Sequence, residues 1–217
     1  MIKVILADDH HLVRQGIRSL LEKAEDIEVI AEAENGLEAV KLAERYQPQV
    51  LVMDIGMPRL NGVQAAEQIR NLDLPTKVVI LSMHSDEMVV RQAIRSGAWG
   101  YLLKDSVATE LLLAIRAAQR GEVYLSPAVS KVVMTNFVNG RQNVEDFSGF
   151  DSLSLREREV LKLIAEGYTN KAIADALFIT IKTVEKHRAS VMTKLNVQDM
   201  AGLIRVAIKH GLIFLDD

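Results

Sequence analysis

The chain has 217 residues, a net charge of −3, 49% hydrophobic and 25% charged residues, and no cysteine. These values exclude a chiefly disordered or collagen-like chain, thiolate catalysis, cysteine-bound zinc and iron–sulfur clusters. The length suits two small domains, and no apolar run approaches the roughly 18 residues of a membrane span. The opening MIKVILADDHH passes straight from a short apolar stretch into acids, unlike a secretory leader, so a cytoplasmic protein with no membrane contact is expected.

Over the first 120 residues, short β-branched or apolar runs at 3–7, 27–33, 50–53, 77–82 and 100–103 alternate with amphipathic stretches. Those stretches cover 12–23, 36–46, 62–70, 87–96 and 106–120. Apolar runs this continuous suit strands buried on both faces. The alternation predicts a flavodoxin-like, doubly wound α/β fold with a five-stranded parallel sheet.

After Gly121 the pattern changes. Ser126 and Pro127 open a further helical pattern carrying Val129, Val132, Val133 and Phe137, with Ser126 as N-cap. Residues 139–152, with Gly140 and Gly149, read as linker. Beyond 153 the pattern is helical throughout, at 155–166, 170–177, 181–195 and 199–209. The expected division is an α/β domain at 1–121, a linker helix and linker at 122–152, and an all-α domain at 153–217.

Charge follows that division. Residues 155–210 hold ten Lys/Arg against six Asp/Glu, whereas residues 1–154 hold sixteen against twenty-one. A basic back half joined to an acidic front half fits a nucleic-acid partner for the second domain.

In the first domain Asp8 and Asp9 follow the first strand and Asp54 ends the third. Ser82 ends the fourth strand, and Lys104 follows the fifth. A doubly wound sheet brings all five to one edge, around one crevice. Three carboxylates there repel one another unless a hard cation with oxygen ligands shares them, and Mg²⁺ fits. A lysine and a hydroxyl alongside can neutralise and hydrogen-bond a phosphoryl group. Capping of the first helix would account for one acid, not for five converging polar groups. His10 and His11 adjoin the acids, but the oxygen set already accounts for a metal.

The segments ADD (7–9), MDIGMPRLNG (53–62), LS (81–82) and GYLLKD (100–105) together resemble the receiver domain of bacterial two-component response regulators. The resemblance covers residues 1 to about 120. It implies that Asp54 accepts a phosphoryl group from a phosphohistidine on a sensor histidine kinase. It further implies that Asp8 and Asp9 hold Mg²⁺ together with Asp54 and the main-chain carbonyl of Gly56. Ser82 matches the switch hydroxyl, Lys104 the characteristic lysine and Tyr101 the switch aromatic, although Tyr101 alone reads equally as a packing residue.

In the second domain, 170–177 and 181–195 flank a three-residue connection, the spacing of a helix-turn-helix. Thr180 is placed to cap the second helix. Ile181, Val184, Val191 and Leu195 should face the core, leaving Lys182, Glu185, Lys186, Ala189, Ser190 and Thr193 outward. LSLREREVL, the run from Gly167 to Ala174 and TVEKHRASVMTKL (183–195) closely resemble the LuxR/NarL-type DNA-binding domain. The resemblance implies that Glu185, Lys186 and Ala189 face base edges. Asn170, Lys171, Thr183, His187 and Arg188 then lie near the phosphate backbone or support it, and Lys182 shares the same exposed face. Ala172 and Ile181 depart from the family's frequent residues.

Together these readings predict a transcription factor controlled by phosphorylation, acting on double-stranded DNA. A domain this small is expected to read paired half-sites as a homodimer formed on phosphorylation, with Met200, Leu203, Ile204, Ala207 and Ile208 contributing surface. A phosphatase using Asp54 as nucleophile would call for a second acid two residues on, where Gly56 stands. A pseudo-receiver that ignores phosphorylation would lack part of the Asp8, Asp9, Asp54, Ser82 and Lys104 set. The chain is therefore not expected to be an enzyme.

Overall fold

The structure, a computed structural model, describes residues 1–138 and 149–214. Most of the segment read as linker, the side chain of Phe137, and Asp216 and Asp217 lie outside the described residues. The chain forms two units, Met1–Asn139 and Gly140–Asp217.

In the first unit the apolar runs become β1 (Ile2–Ala7), β2 (Ile27–Ala33), β3 (Val50–Asp54), β4 (Lys77–Ser82) and β5 (Gly100–Leu103). The intervening helices are α1 (His11–Leu21), α2 (Gly36–Tyr46), α3 (Gly62–Asn71), α4 (Glu87–Arg95) and α5 (Val107–Gln119). All strand pairs are parallel, in the order β2-β1-β3-β4-β5-β6. The sheet therefore carries six strands rather than the expected five. The sixth, β6 (Tyr124–Leu125), is too short to leave a periodic trace and is defined by pairing with Gly100 and Tyr101.

Strands buried on both faces need helices on both. Val4, Leu6, Val50, Val52, Val79, Leu81 and Leu102 pack under α1 and α5. The alternate residues turn to the side of α2, α3 and α4. The order 2-1-3-4-5 places the switch point between β1 and β3, so their carboxyl ends flank the crevice.

Two glycines clamp the loop after β3. A Cβ at Gly36 would lie 2.3 Å from the Leu60 carbonyl oxygen, and one at Gly62 would lie 2.4 Å from that of Asp54. Each amide also bonds the loop, Gly36 to Leu60 O and Gly62 to Ile55 O.

The helix α6 (Pro127–Val138) packs against α4 and β5. Ser126 stands just before it, and its hydroxyl bonds back into the α/β unit. It donates to Glu110 Oε2 at 2.6 Å and receives the Leu103 amide at 3.3 Å.

The second unit holds α7 (Leu155–Ala165), α8 (Asn170–Leu177), α9 (Ile181–Leu195) and α10 (Met200–Lys209). Its core gathers Val160, Leu161, Ile164, Ile173, Leu177, Val184, Val191, Leu203 and Ala207. Ser154, Thr169, Thr180 and Asp199 each accept from a backbone amide of the helix they begin. Asn196 and Phe178 end α9 and α8 in left-handed conformation.

Candidate functional site

At the carboxyl edge of the sheet, β1 delivers Asp8 and Asp9, β3 delivers Asp54, and β5 runs into the 3₁₀ turn Lys104–Ser106. Lys104 Nζ stands 3.0 Å from Asp8 Oδ2 and 3.0 Å from Asp54 Oδ1. Burial works against its charge, but the two carboxylates outweigh burial and raise its pKa. Lys104 therefore stays protonated.

Asp54 is only 4% exposed. Burial pushes its pKa above the usual carboxylate value; Lys104 pulls it down, and Asp8 and Asp9 add to the rise. Ligand atoms of Asp8, Asp9, His10 and Asp54 all lie within 4.8 Å of one another. Asp9 Oδ1 is buried and accepts no hydrogen bond among the described residues; His10 Nδ1 comes within 2.9 Å without the alignment of one. Close carboxylates with an oxygen left over form a donor set for a hard divalent cation. Gly56 is exposed on the loop beside them, with its neighbours Ile55 and Met57 buried.

Ser82 is fully buried at the end of β4, and its hydroxyl accepts the His84 amide at 2.9 Å. The Tyr101 ring is buried too, its hydroxyl donating to the His84 carbonyl at 2.7 Å. Burial raises the Tyr101 pKa to about 12, so the phenol remains a donor. The five polar residues expected at one edge are thus brought together, with Tyr101 behind them.

Arg14 was missed at the level of sequence. It lies on the inner face of α1 with Ile17 and Leu21, only 5% exposed. Its Nη1 donates to the Asp8 main-chain carbonyl at 2.6 Å, Nε to Glu32 at 2.8 Å and Nη2 to Glu34 at 3.0 Å. A charge three residues before an apolar position reads as solvated in sequence, and only its spacing to Ile17 and Leu21 places it inward.

In the second unit, Lys182, Glu185, Lys186 and Ala189 are exposed along α9, and Lys171 is exposed at the start of α8. Asn170, Thr183, His187 and Arg188 are half-buried around them. Two expectations for α9 are corrected. Ile181, the first residue of α9, is 44% exposed, whereas Val184 three residues on is fully buried. Ser190 points inward and donates to Glu157 Oε1 at 2.6 Å. Glu157 also receives Lys194 Nζ at 2.7 Å and the Ser154 amide at 2.7 Å. Burial acts against its charge, yet these bonds prevail and lower its pKa to about 2. Glu157 thereby fastens α9 to the start of α7; the Ser-x-x-Glu spacing at 154–157 is a capping box that sequence inspection can find. On α10, Leu203 and Ala207 are wholly buried, which narrows the apolar surface to Met200, Ile204 and Ile208. No helix among the described residues is long and apolar enough to cross a membrane.

Residues 4–116 match the response regulator receiver domain, and residues 151–207 match the bacterial regulatory proteins of the luxR family. The oxygen regulatory protein NreC of Staphylococcus epidermidis is 40% identical over 216 residues, covering 98% of this chain and 99% of that protein. The crystal structure of ChrA, a response regulator in a heme-sensing two-component system, aligns with TM-score 0.53 and 34% identity, covering 98% of each chain. RcsB of Salmonella enterica serovar Typhimurium, bound to promoter rprA in the presence of the phosphomimetic BeF3−, aligns with TM-score 0.61 and 28% identity, covering 94% of this chain and 96% of that one. The chain belongs to the response regulators that join a receiver domain to a LuxR-family DNA-binding domain, a family of transcriptional regulators.

Proposed function

We propose that Asp54 is the phosphoacceptor and that its phosphorylation by a sensor histidine kinase controls DNA binding by the second unit. The observation that carries this reading is Lys104 Nζ held 3.0 Å from both Asp8 and Asp54. A carboxylate is a weak nucleophile, so positioning and charge neutralisation must supply most of the rate. Asp54 attacks phosphorus, the phosphorus–nitrogen bond of the phosphohistidine breaks, and the electron pair returns to the imidazole. Lys104 neutralises charge on the transferring group, while Ser82 and Tyr101 answer to the phosphoryl oxygens afterwards.

Asp8, Asp9, Asp54 and the Gly56 main-chain carbonyl would hold Mg²⁺, and the unsatisfied Asp9 Oδ1 fits that assignment. When bound, the ion supplies a positive charge against the phosphoryl oxygens. The receiver role belongs to residues 1–121, the linker role to 122–152 and DNA reading to 153–217. Glu185, Lys186 and Ala189 read base edges, while Asn170, Lys171, Lys182, Thr183, His187 and Arg188 serve or approach the backbone. The phosphorylated chain acts as a homodimer on paired half-sites in the cytoplasm; RcsB bound to a promoter in the presence of a phosphomimetic supports the DNA binding, and RcsB dimers bound to DNA support the dimer.

Incubation with a small phosphodonor and Mg²⁺ tests the reading. Stoichiometric, Asp54-dependent labelling is expected. Continuous turnover of the donor would make the chain a phosphatase, and absent labelling would make it a pseudo-receiver.

A further inference from the structure

The inner face of α1 carries a charge where its spacing calls for an apolar residue. Arg14, Ile17 and Leu21 are its buried positions, and Ile17 and Leu21 join the apolar core beneath the sheet. Burying a guanidinium is costly, and a well-packed apolar side chain of similar volume often stabilises as well or better. What Arg14 does that such a side chain could not is donate in three directions at once. Its Nη1 takes the Asp8 carbonyl at 2.6 Å, Nε takes Glu32 at 2.8 Å and Nη2 takes Glu34 at 3.0 Å.

Those partners sit on two different strand ends. Asp8 directly follows β1, and Glu32 and Glu34 lie near the end of β2 and just beyond it, with Glu32 steadied from its other oxygen by Arg18 Nη1 at 2.6 Å. The fork is therefore braced on β2 and holds the β1–α1 turn from beneath. Asp8 is held at two further points: its amide donates to Ala33 O at 3.2 Å, and its Oδ1 accepts the His10 amide at 2.8 Å.

We propose that Arg14 is a positioning residue for the cation site: by holding the Asp8 main-chain carbonyl it sets the direction in which the Asp8 and Asp9 carboxylates face the crevice. The inference rests on the metal reading given above. Arg14 touches neither the cation nor the phosphoryl group and acts through Asp8. Partners of this kind, one step removed from the ligands, typically govern metal affinity by about 10–100-fold.

Arg14→Met and Arg18→Met separate positioning from general stability. Both remove a charge from the same cluster, but only Arg14 reaches Asp8. Mg²⁺ affinity is measured by calorimetry on the full-length unphosphorylated chain, alongside thermal midpoint. Arg14→Met is expected to weaken Mg²⁺ binding about tenfold with the receiver still folded, while Arg18→Met stays within about twofold. Should Arg14→Met fail to fold, Glu32→Gln loosens the brace with Arg14 in place, and about a threefold loss is expected. Unchanged Mg²⁺ affinity in a folded Arg14→Met chain, or in Glu32→Gln where that chain does not fold, overturns the proposal. Equal losses in Arg14→Met and Arg18→Met also overturn it, since cluster charge would then explain both. Failure of the wild-type chain to bind Mg²⁺ would instead overturn the metal reading itself.

Discussion

The Tyr101 hydroxyl donates to the main-chain carbonyl of His84 at 2.7 Å, tying the aromatic of β5 to the loop that follows β4. Because the acceptor is main chain, the identity of residue 84 does not decide the bond. Tyr101→Phe removes it and leaves a half-buried carbonyl without this donor, a loss of about 1 kcal/mol. Amide exchange in residues 83–86 is expected to quicken in Tyr101→Phe and to stay slow in His84→Ala. Equal exchange in the two variants would mean that the loop is held by something else.

Asp54 bears on stability as well as chemistry. Its folded pKa is raised by burial, so the protonated form is the one the fold favours. That contribution is fully present below the ordinary carboxylate pKa and is lost as pH rises through the raised value, leaving an ionised, buried group at neutrality. Asp54→Asn should therefore raise the receiver's midpoint at pH 7 by a few degrees, for about 1 kcal/mol, while abolishing labelling by the phosphodonor. The gain should shrink at pH 4. Calorimetry at the two pH values checks the sign.

Glu157 has the opposite sign. Its pKa is held near 2, so its contribution is present above the ordinary carboxylate pKa and is lost as pH falls from about 4.5 toward 2. Exposure of Lys194 screens the pair, so roughly 1–2 kcal/mol is expected rather than the full shift. Glu157→Gln should flatten acid unfolding of the second unit over that window. It should also weaken DNA binding, because α9 loses its fastening to α7 through Ser190 and Lys194.

On DNA, Lys186→Ala should relax discrimination at one base pair of each half-site, with about 1–3 kcal/mol lost there. Lys171→Ala should weaken all sequences alike and reduce the salt slope by about one contact per subunit. Binding of both variants to matched and scrambled operators across a salt series distinguishes the two roles. Equal loss of specific and non-specific affinity in Lys186→Ala would make that lysine a phosphate contact.

Legibility in the sequence followed the physics of each element. Strands at Val50–Asp54, Lys77–Ser82 and Gly100–Leu103 were readable because both faces are largely buried and their runs are chiefly apolar. β6 was not, since two residues carry no period and an existing edge recruits them. The crevice was readable because strand order alone brings Asp8, Asp9, Asp54, Ser82 and Lys104 to one edge. Arg14 was hidden, as a charge on a buried stripe is indistinguishable from a solvated one until its partners are placed. Ser190 was misjudged because its partner, Glu157, lies on another helix, which polarity and periodicity along α9 do not show.

The loop after β3 is pinned by main-chain contacts at both ends, through Gly36 against Leu60 and Gly62 against Asp54. Across the crevice, the segment after β4 hangs instead on the hydroxyl groups of Ser82 and Tyr101. Hydroxyls can exchange partners; the β3 loop is instead held by the main-chain amides of Gly36 and Gly62, at an approach that only glycine permits. The site is thus a doorway with one fixed jamb. If Asp54 is the phosphoacceptor, the expected outcome is motion on the far side, toward α4, β5 and the helix α6 that rests on both.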